Sequence, residues 1–416
     1  MGGAIRAVGI IAGAIVSLLA GCGERPDESG ETTLSVLMEP DGRGAWRELF
    51  DRFERANPGI RVNLVEGPAA TDAREDLYVN SLLAGSHDYD LVYADVIWVP
   101  KFAAAGWLED LTDRWDEWDD FVPASIAGAT VDGRIYRVPT QLNGGLLYYR
   151  KDLLEAAGRG VPKTFAELRE VSKQLRGDGR WGYVWQGKQY EGLVCNYLEI
   201  LKGYGGTWID AETGRIGLAE SAAVEALTFL SDAVGTISPP GVTTYAEEDS
   251  RMVFQGGGAV FLRNWPYVYK SLAADESPLL KRVGIAPMPA NPAGESAATL
   301  GGAGFCIVRG TSSRDAAWKL IEFVSSPESV GFMNDRIGLQ PARRSFYEES
   351  KDPMQAELYD VLRRTTPRPS IPQYAQASDI LQRHLSAAIT GQAEPAEALR
   401  AAARETALLT GGEVAE

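Results

Sequence analysis

From Thr32 onward the apolar positions change period repeatedly. "TTLSVLM" (32–38) is an apolar run of strand length. In "AWRELFDRFERANPG" (45–59), Trp46, Leu49, Phe50 and Phe53 recur at helical spacing, and Asn57-Pro58-Gly59 stops the helix. "IRVNLVE" sets Ile60, Val62 and Leu64 against Arg61 and Asn63, the period of a half-buried strand. A helix follows in "ATDAREDLYVNSLLAG" and a buried strand in "YDLVYAD". This order predicts a parallel α/β sheet. Downstream, "GGLLYYRKDLLEAAG" reads as a strand entering a helix. "TFAELREVSKQLRG" is a helix capped by Thr164 with Glu167 three residues on, a capping box. "SAAVEALTFLSDAV" is another helix, "RVGIAPMPANP" a strand entering a Pro-rich connection, and "SSRDAAWKLIEFVSSP" an amphipathic helix ended by Pro327. From about residue 354 the chain reads as helical and Ala-rich, and no internal repeat occurs.

The pattern before Thr32 is different. Arg6 precedes the apolar run "AVGIIAGAIVSLLA" (7–20), shorter than the roughly 20 residues of a membrane span. A basic start, an apolar stretch and small residues at its end describe a secretion signal. "LAGC" (19–22) resembles a bacterial lipobox, in which the signal is cut before a cysteine that is then lipidated. We therefore expect a signal peptide over 1–21, lipidation of Cys22 and a polar tether over 22–31. The expected location is the outer face of the cytoplasmic membrane. Two cysteines remain, Cys195 and Cys306. In an exported chain they are either a disulfide pair or two buried thiols.

A length of 416 residues is too great for one compact core, so two or more domains are expected. The formal charge is −16, with 57 acidic against 41 basic residues, which argues against nucleic acid as a partner. His87 and His384 are the only histidines, far apart and in polar surroundings. That disfavours His-dependent nucleophilic catalysis and a His-rich metal site. There is no GxxxxGK[ST] loop, and "GGGAVF" lacks the spacing of a dinucleotide fingerprint. "DRWDEWDDF" (113–121) reads as a solvated surface segment. No cofactor and no metal are expected.

One stretch asks for a ligand. "FLRNWPYVY" (261–269) places Trp265, Tyr267 and Tyr269 beside Arg263 and Asn264. Flat aromatic faces next to hydrogen-bonding groups suit a molecule with apolar faces and a rim of hydroxyls. The alternative is a core segment with large side chains.

An exported chain with this α/β pattern, many aromatics and no catalytic motif points to binding. The stretches "YADVIWVPKFAAAGWLEDL", "YRVPTQLNGGLLYYRKDLL", "WQGKQYEGLVCNYLE", "EEDSRMVFQGGGAVFLRNWPYVY", "TLGGAGFCIV" and "AAWKLIEFVSSPES" make it specific. In family order they resemble the family-1 extracellular solute-binding proteins, the carbohydrate-binding lipoproteins of ABC importers, and most of all their trehalose/maltose-binding branch. The resemblance implies an α/β fold of two doubly wound lobes joined by a multi-crossing hinge, of the type II periplasmic-binding-protein kind. Lobe 1 would hold 32–139 and 284–325, and lobe 2 would hold 140–283 and 326–416, with crossings near Pro139, Pro287 and Pro327. It implies a binding subunit that is no enzyme, a monomer that closes on a saccharide and delivers it to permease subunits; the alternatives are a secreted carbohydrate-active enzyme and a sugar-sensing binding protein.

Site residues follow position by position from the resemblance. Glu39 and Asp95 match acids that grip sugar hydroxyls, although Asp95 also reads as a helix cap. Arg74 and Arg368 match binding arginines. Gln141 and Asn143 stand where some relatives carry Tyr and Asp. Tyr190, Glu247 and Tyr374 match further contacts, and Trp265 matches the stacking tryptophan. Relatives often read "GGW" where this chain has Gly301, Gly302 and Ala303, so a second stacking face is missing. The ligand class implied is a disaccharide or glucoside: trehalose, maltose or a glucosyl compatible solute such as glucosylglycerol.

Overall fold

The computed structural model of the protein describes residues 31–274 and 277–415. The readings of residues 1–30, including lipidation of Cys22, lie outside the described residues.

The N-terminal alternation folds as the periods predict. β1 (Thr32–Met38), α1 (Ala45–Ala56), β2 (Ile60–Glu66), α2 (Thr71–Ala84) and β3 (Leu91–Asp95) follow one another. β1 pairs in parallel with β2 from Thr32↔Ile60 to Met38↔Glu66, and on its other side with β3. α1 buries the predicted stripe of Trp46, Leu49, Phe50 and Phe53. Phe53 is fully buried, and its ring meets Phe323 edge-on at 5.5 Å. That contact fastens α1 to the helix Arg314–Val324, and truncating such a ring costs about 3–5 kcal/mol.

The sheets are mixed, not purely parallel as expected. Ala303–Ile307 runs antiparallel to β3, and Val138–Pro139 pairs with it at the edge. The second sheet has the order Val283–Ala286, Leu146–Arg150, Ala259–Asn264, Trp181–Val184, and only its last pair is parallel. Each sheet takes helices on its faces, which yields two α/β lobes. A parallel two-residue ladder, Ala298–Thr299 against Thr365–Thr366, links the late connections.

Several sequence boundaries move. Residue 284, the expected return to lobe 1, lies in a strand of the second sheet. Pro327 does not simply end a helix. It opens the helix Pro327–Ile337, where its missing N–H is no loss, and Ser326 caps that helix through the N–H of Ser329 at 3.2 Å. This helix lies against α1, with Arg336 on Glu48 at 2.9 Å and Arg52 over the Phe332 ring at 3.8 Å. Residues 341–345, expected in lobe 2, also hold onto lobe 1. Arg343 reaches Asp120 at 2.8 Å and Glu117 at 3.1 Å, and its guanidinium lies over the Trp115 and Phe121 rings. "DRWDEWDDF" is therefore an anchoring segment, with Trp115 edge-on to Trp318 at 5.6 Å.

Two local details refine the pattern. Thr164 accepts the Glu167 N–H as predicted, but Glu167 reaches back to the N–H of Lys163, one residue before the cap. Cys195 and Cys306 are both buried and free. Burial pushes the Cys306 thiol up to about 12, which keeps it protonated and inert.

Candidate functional site

β3 ends at Asp95, at the carboxyl end of parallel strands where open α/β sheets bind ligands. Asp95 Oδ1 accepts the N–H of Ile97 at 3.2 Å, and Oδ2 accepts the Thr71 hydroxyl at 3.3 Å. The next helix, Val99–Ala104, has Trp98 at its cap position, so Asp95 holds the turn before it rather than capping it. Arg368 Nη2 donates to Asp95 Oδ1 at 3.3 Å and to the Leu300 carbonyl at 3.1 Å. Its Nη1 donates to Glu191 Oε1 at 2.7 Å. Glu191 opens the helix Glu191–Gly203 and also accepts the hydroxyls of Tyr374, at 2.5 Å, and Ser378. Arg368 thus joins a carboxylate on the first sheet to one on a helix of the other lobe. Both Arg368 and Glu191 are buried, whereas the Asp95 side chain keeps 22% of its surface open.

At the end of β1, Glu39 accepts from Arg74 Nη2 at 2.5 Å. Arg74 Nη1 also donates to the carbonyls of Pro68 and Ala69, so it pins the loop ahead of α2. Desolvation raises the Glu39 pKa, with Asp95 and Asp41 adding to it against the charge of Arg74. The Glu39 side chain keeps 34% of its surface in solvent.

Trp265 follows the strand Ala259–Asn264. Its backbone is fixed on both sides: the N–H donates to Asn264 Oδ1 at 2.8 Å, and the carbonyl accepts Tyr148 Oη at 2.9 Å. Its indole N–H donates to Glu247 Oε1 at 3.3 Å. The Arg263 guanidinium lies 4.1 Å from the ring centroid. Arg263 is itself clamped by Glu199 at 2.8 and 2.5 Å, with both side chains fully buried. A Cβ on Gly301 would lie 3.3 Å from the indole edge, so a larger residue there would press on the ring. Trp265 is half-buried and stands outside the hydrophobic core, unlike Trp98 and Trp185. The structure therefore does not place Trp265 in the core, the alternative that the sequence allowed.

The remaining predicted residues divide between side-chain and backbone roles. Gln141 Oε1 accepts the Tyr93 hydroxyl at 3.2 Å. Asn143 and Gly301 exchange backbone hydrogen bonds at 2.9 and 2.8 Å. Gly302 has φ +128°, and a Cβ there would lie 2.2 Å from the Gln141 carbonyl oxygen, so the chain needs glycine at this point. Ala303 pairs directly with Asp95 across the sheet. The Tyr190 hydroxyl is buried without a hydrogen bond of normal geometry. Burial first, then the Glu247 charge, pushes its pKa well above the usual value. Tyr374 is 2% exposed, and its hydroxyl is committed to Glu191.

Sequence reading did not single out Glu191, Thr71 and Glu199, which bond to Arg368, Asp95 and Arg263. An acid in the first turn of a helix, such as Glu191, has the appearance of an ordinary dipole partner. Only the fold brings Arg368 to it. A surface cavity of ≈ 460 Å³ lined by Phe165, Tyr204 and Phe229 contains none of these site residues. Among the described residues no group of three or more His, Cys, Asp or Glu could hold a metal ion. No helix among them is long and apolar enough to cross a membrane.

The family model of bacterial extracellular solute-binding proteins matches residues 39–331. A probable ABC transporter-binding protein of Deinococcus radiodurans is 33% identical over 402 residues, covering 91% of this chain and 94% of the relative. A maltooligosaccharide ABC transporter solute-binding lipoprotein of Streptococcus pneumoniae is 24% identical over 400 residues, covering 90% of each. Among solved structures, maltose-bound T. maritima MalE3 superposes with a TM-score of 0.86 at 39% identity, covering 91% of this chain and all of that one.

Proposed function

The chain belongs to the bacterial extracellular solute-binding proteins, and on that premise we propose that it captures a disaccharide or glucoside for an ABC importer. The observation that carries the reading is the likeness to a maltose-bound protein at 39% identity and TM-score 0.86. The site chemistry agrees with it. Trp265 offers a flat apolar face to the C–H side of a pyranose. Asp95, Glu39 and Glu247 offer carboxylate oxygens to neighbouring hydroxyls, as charge-assisted acceptors. Ligand bridges the lobes, and their closure creates the form that docks on the permease subunits. Maltose, trehalose and a glucosyl solute such as glucosylglycerol are the favoured ligands. The protein works as a monomer, tethered through lipidated Cys22.

Titration calorimetry against maltose, trehalose, maltotriose and glucosylglycerol tests the reading. One of them should bind without being consumed. A ligand at 100 times its Kd also raises stability by about 2.7 kcal/mol, visible as a thermal shift. Failure of every saccharide to bind would overturn the assignment. Cys22→Ala should move the protein from the detergent phase to the aqueous phase, and unchanged partitioning would overturn the anchor.

A further inference from the structure

One face of the Trp265 ring is covered by a cation without access to solvent. Arg263 is 0% exposed, and its Cζ lies 4.1 Å from the ring centroid. Glu199, also 0% exposed, accepts Nε at 2.8 Å and Nη2 at 2.5 Å, and Gln186 Oε1 accepts Nη1 at 3.0 Å. This two-pronged grip fixes the plane of the guanidinium. Desolvation by itself would lower the Arg263 pKa, but the charge and hydrogen bonds of Glu199 carry it above the usual value, so the group stays a cation. A Cβ on Gly145 would collide with both Glu199 Oε1 and Arg263 Nη2, so the pair needs glycine there.

The same carboxylate has a second partner. Glu199 Oε1 accepts the N–H of Thr299 at 3.0 Å, and the Thr299 hydroxyl donates to the Cys195 carbonyl at 3.0 Å. Thr299 lies on the passage from Val283–Ala286 in the second sheet to Ala303–Ile307 in the first. Two residues further on, Gly301 stands at the indole edge. Glu199 therefore fixes both the cation over the ring and the segment against its edge. A buried ion pair adds little stability over apolar packing of the same volume, so stability alone does not account for this one.

We propose that Arg263, gripped by Glu199, is a positioning residue for saccharide binding, which holds one face of Trp265 so that the opposite face is presented to a pyranose at a fixed tilt. The inference rests on the saccharide-binding reading and adds two residues that the family resemblance did not supply. Neither of them touches the ligand, and both act through the indole. A ring already fixed in the free protein loses less freedom when the ligand stacks on it, which raises affinity without a new contact. A lysine at 263 would keep the charge but lose the fork and the flat surface under the ring.

A double-mutant cycle tests this, by calorimetry with whichever of maltose, trehalose, maltotriose and glucosylglycerol wild type binds. Arg263→Lys should weaken binding about tenfold when Trp265 is present, and by less than about twofold when it is combined with Trp265→Ala. Glu199→Gln keeps the side-chain size and an acceptor for the Thr299 N–H. It should behave in the same way, and it decides the point should the lysine variant not fold. In the ligand-free protein, the Trp265 share of the fluorescence is the difference between each protein and its Trp265→Phe counterpart. That share should change in Arg263→Lys. Losses of affinity that multiply in the double variants, full affinity in both single variants, or an unaltered Trp265 emission would overturn the positioning role while leaving saccharide binding intact. If wild type bound none of the four saccharides, the functional reading itself would fail, and this inference with it.

Discussion

Ala303 and Asp95 are a directly opposed cross-strand pair, so their side chains emerge on the same face of the first sheet. Ala303 is 8% exposed and Asp95 reaches the opening beside it. A small residue at 303 keeps little bulk beside the Asp95 carboxylate, where the proposed ligand would bind. Ala303→Trp should fill that space and weaken the preferred ligand at least tenfold in calorimetry, because an indole inserted into a formed site forces its neighbours aside. Unchanged affinity would show that position 303 does not line the site.

Trp265→Ala should weaken saccharide binding by about 2–4 kcal/mol, as loss of a buried aromatic anchor does. The residue stands outside the core, so the melting temperature should move little. Wild-type affinity with a large fall in melting temperature would return Trp265 to a packing role.

Gly302→Ala should destabilise the protein by about 1–3 kcal/mol, the range for a residue held in a sparsely populated backbone conformation. The new methyl would also meet the Gln141 carbonyl oxygen, and so disturb the connection between the sheets. Chemical denaturation would measure the first effect. Calorimetry should show weakened ligand binding as well.

Asp120→Asn reads the anchoring of residues 341–345. Burial alone would raise the Asp120 pKa, but hydrogen bonds from Arg343 and Ser345, with the Arg343 charge, hold it below the ordinary value of 3.8. A depressed folded-state pKa adds stability that is present above the unfolded value and lost as pH falls through the folded one. The variant should therefore be about 1–2 kcal/mol less stable than wild type at pH 7. The gap should close below pH 3.8, and melting curves at several pH values would show it.

The first sheet shows how far local pattern reaches. Periods of 3.6 and 2 belong to short windows, so β1, α1, β2, α2 and β3 were legible from the spacing of apolar residues alone. The same windows could not show that Ala303–Ile307 would enter that sheet antiparallel to β3, since pairing between distant segments leaves no mark on either one. Nor could they show that Pro327 opens a helix lying on α1. Proline ends one helix and starts another with equal ease.

The site divides along the same line. Trp265 stood out because aromatic and polar residues are adjacent in the chain itself, and family resemblance supplied Asp95 and Arg368. Glu191 carried no such signal. It is an acid in the first turn of a helix, where acids are common for local electrostatic reasons. What sets it apart is its ion pair with Arg368, which forms only when the fold brings the two together. Sequence by itself determined the elements, because hydrogen bonding and apolar spacing within them are local. Tertiary structure alone decided which carboxylates are paired with which cations, because the Coulomb interactions between them depend on distance through space and on the water that folding removes.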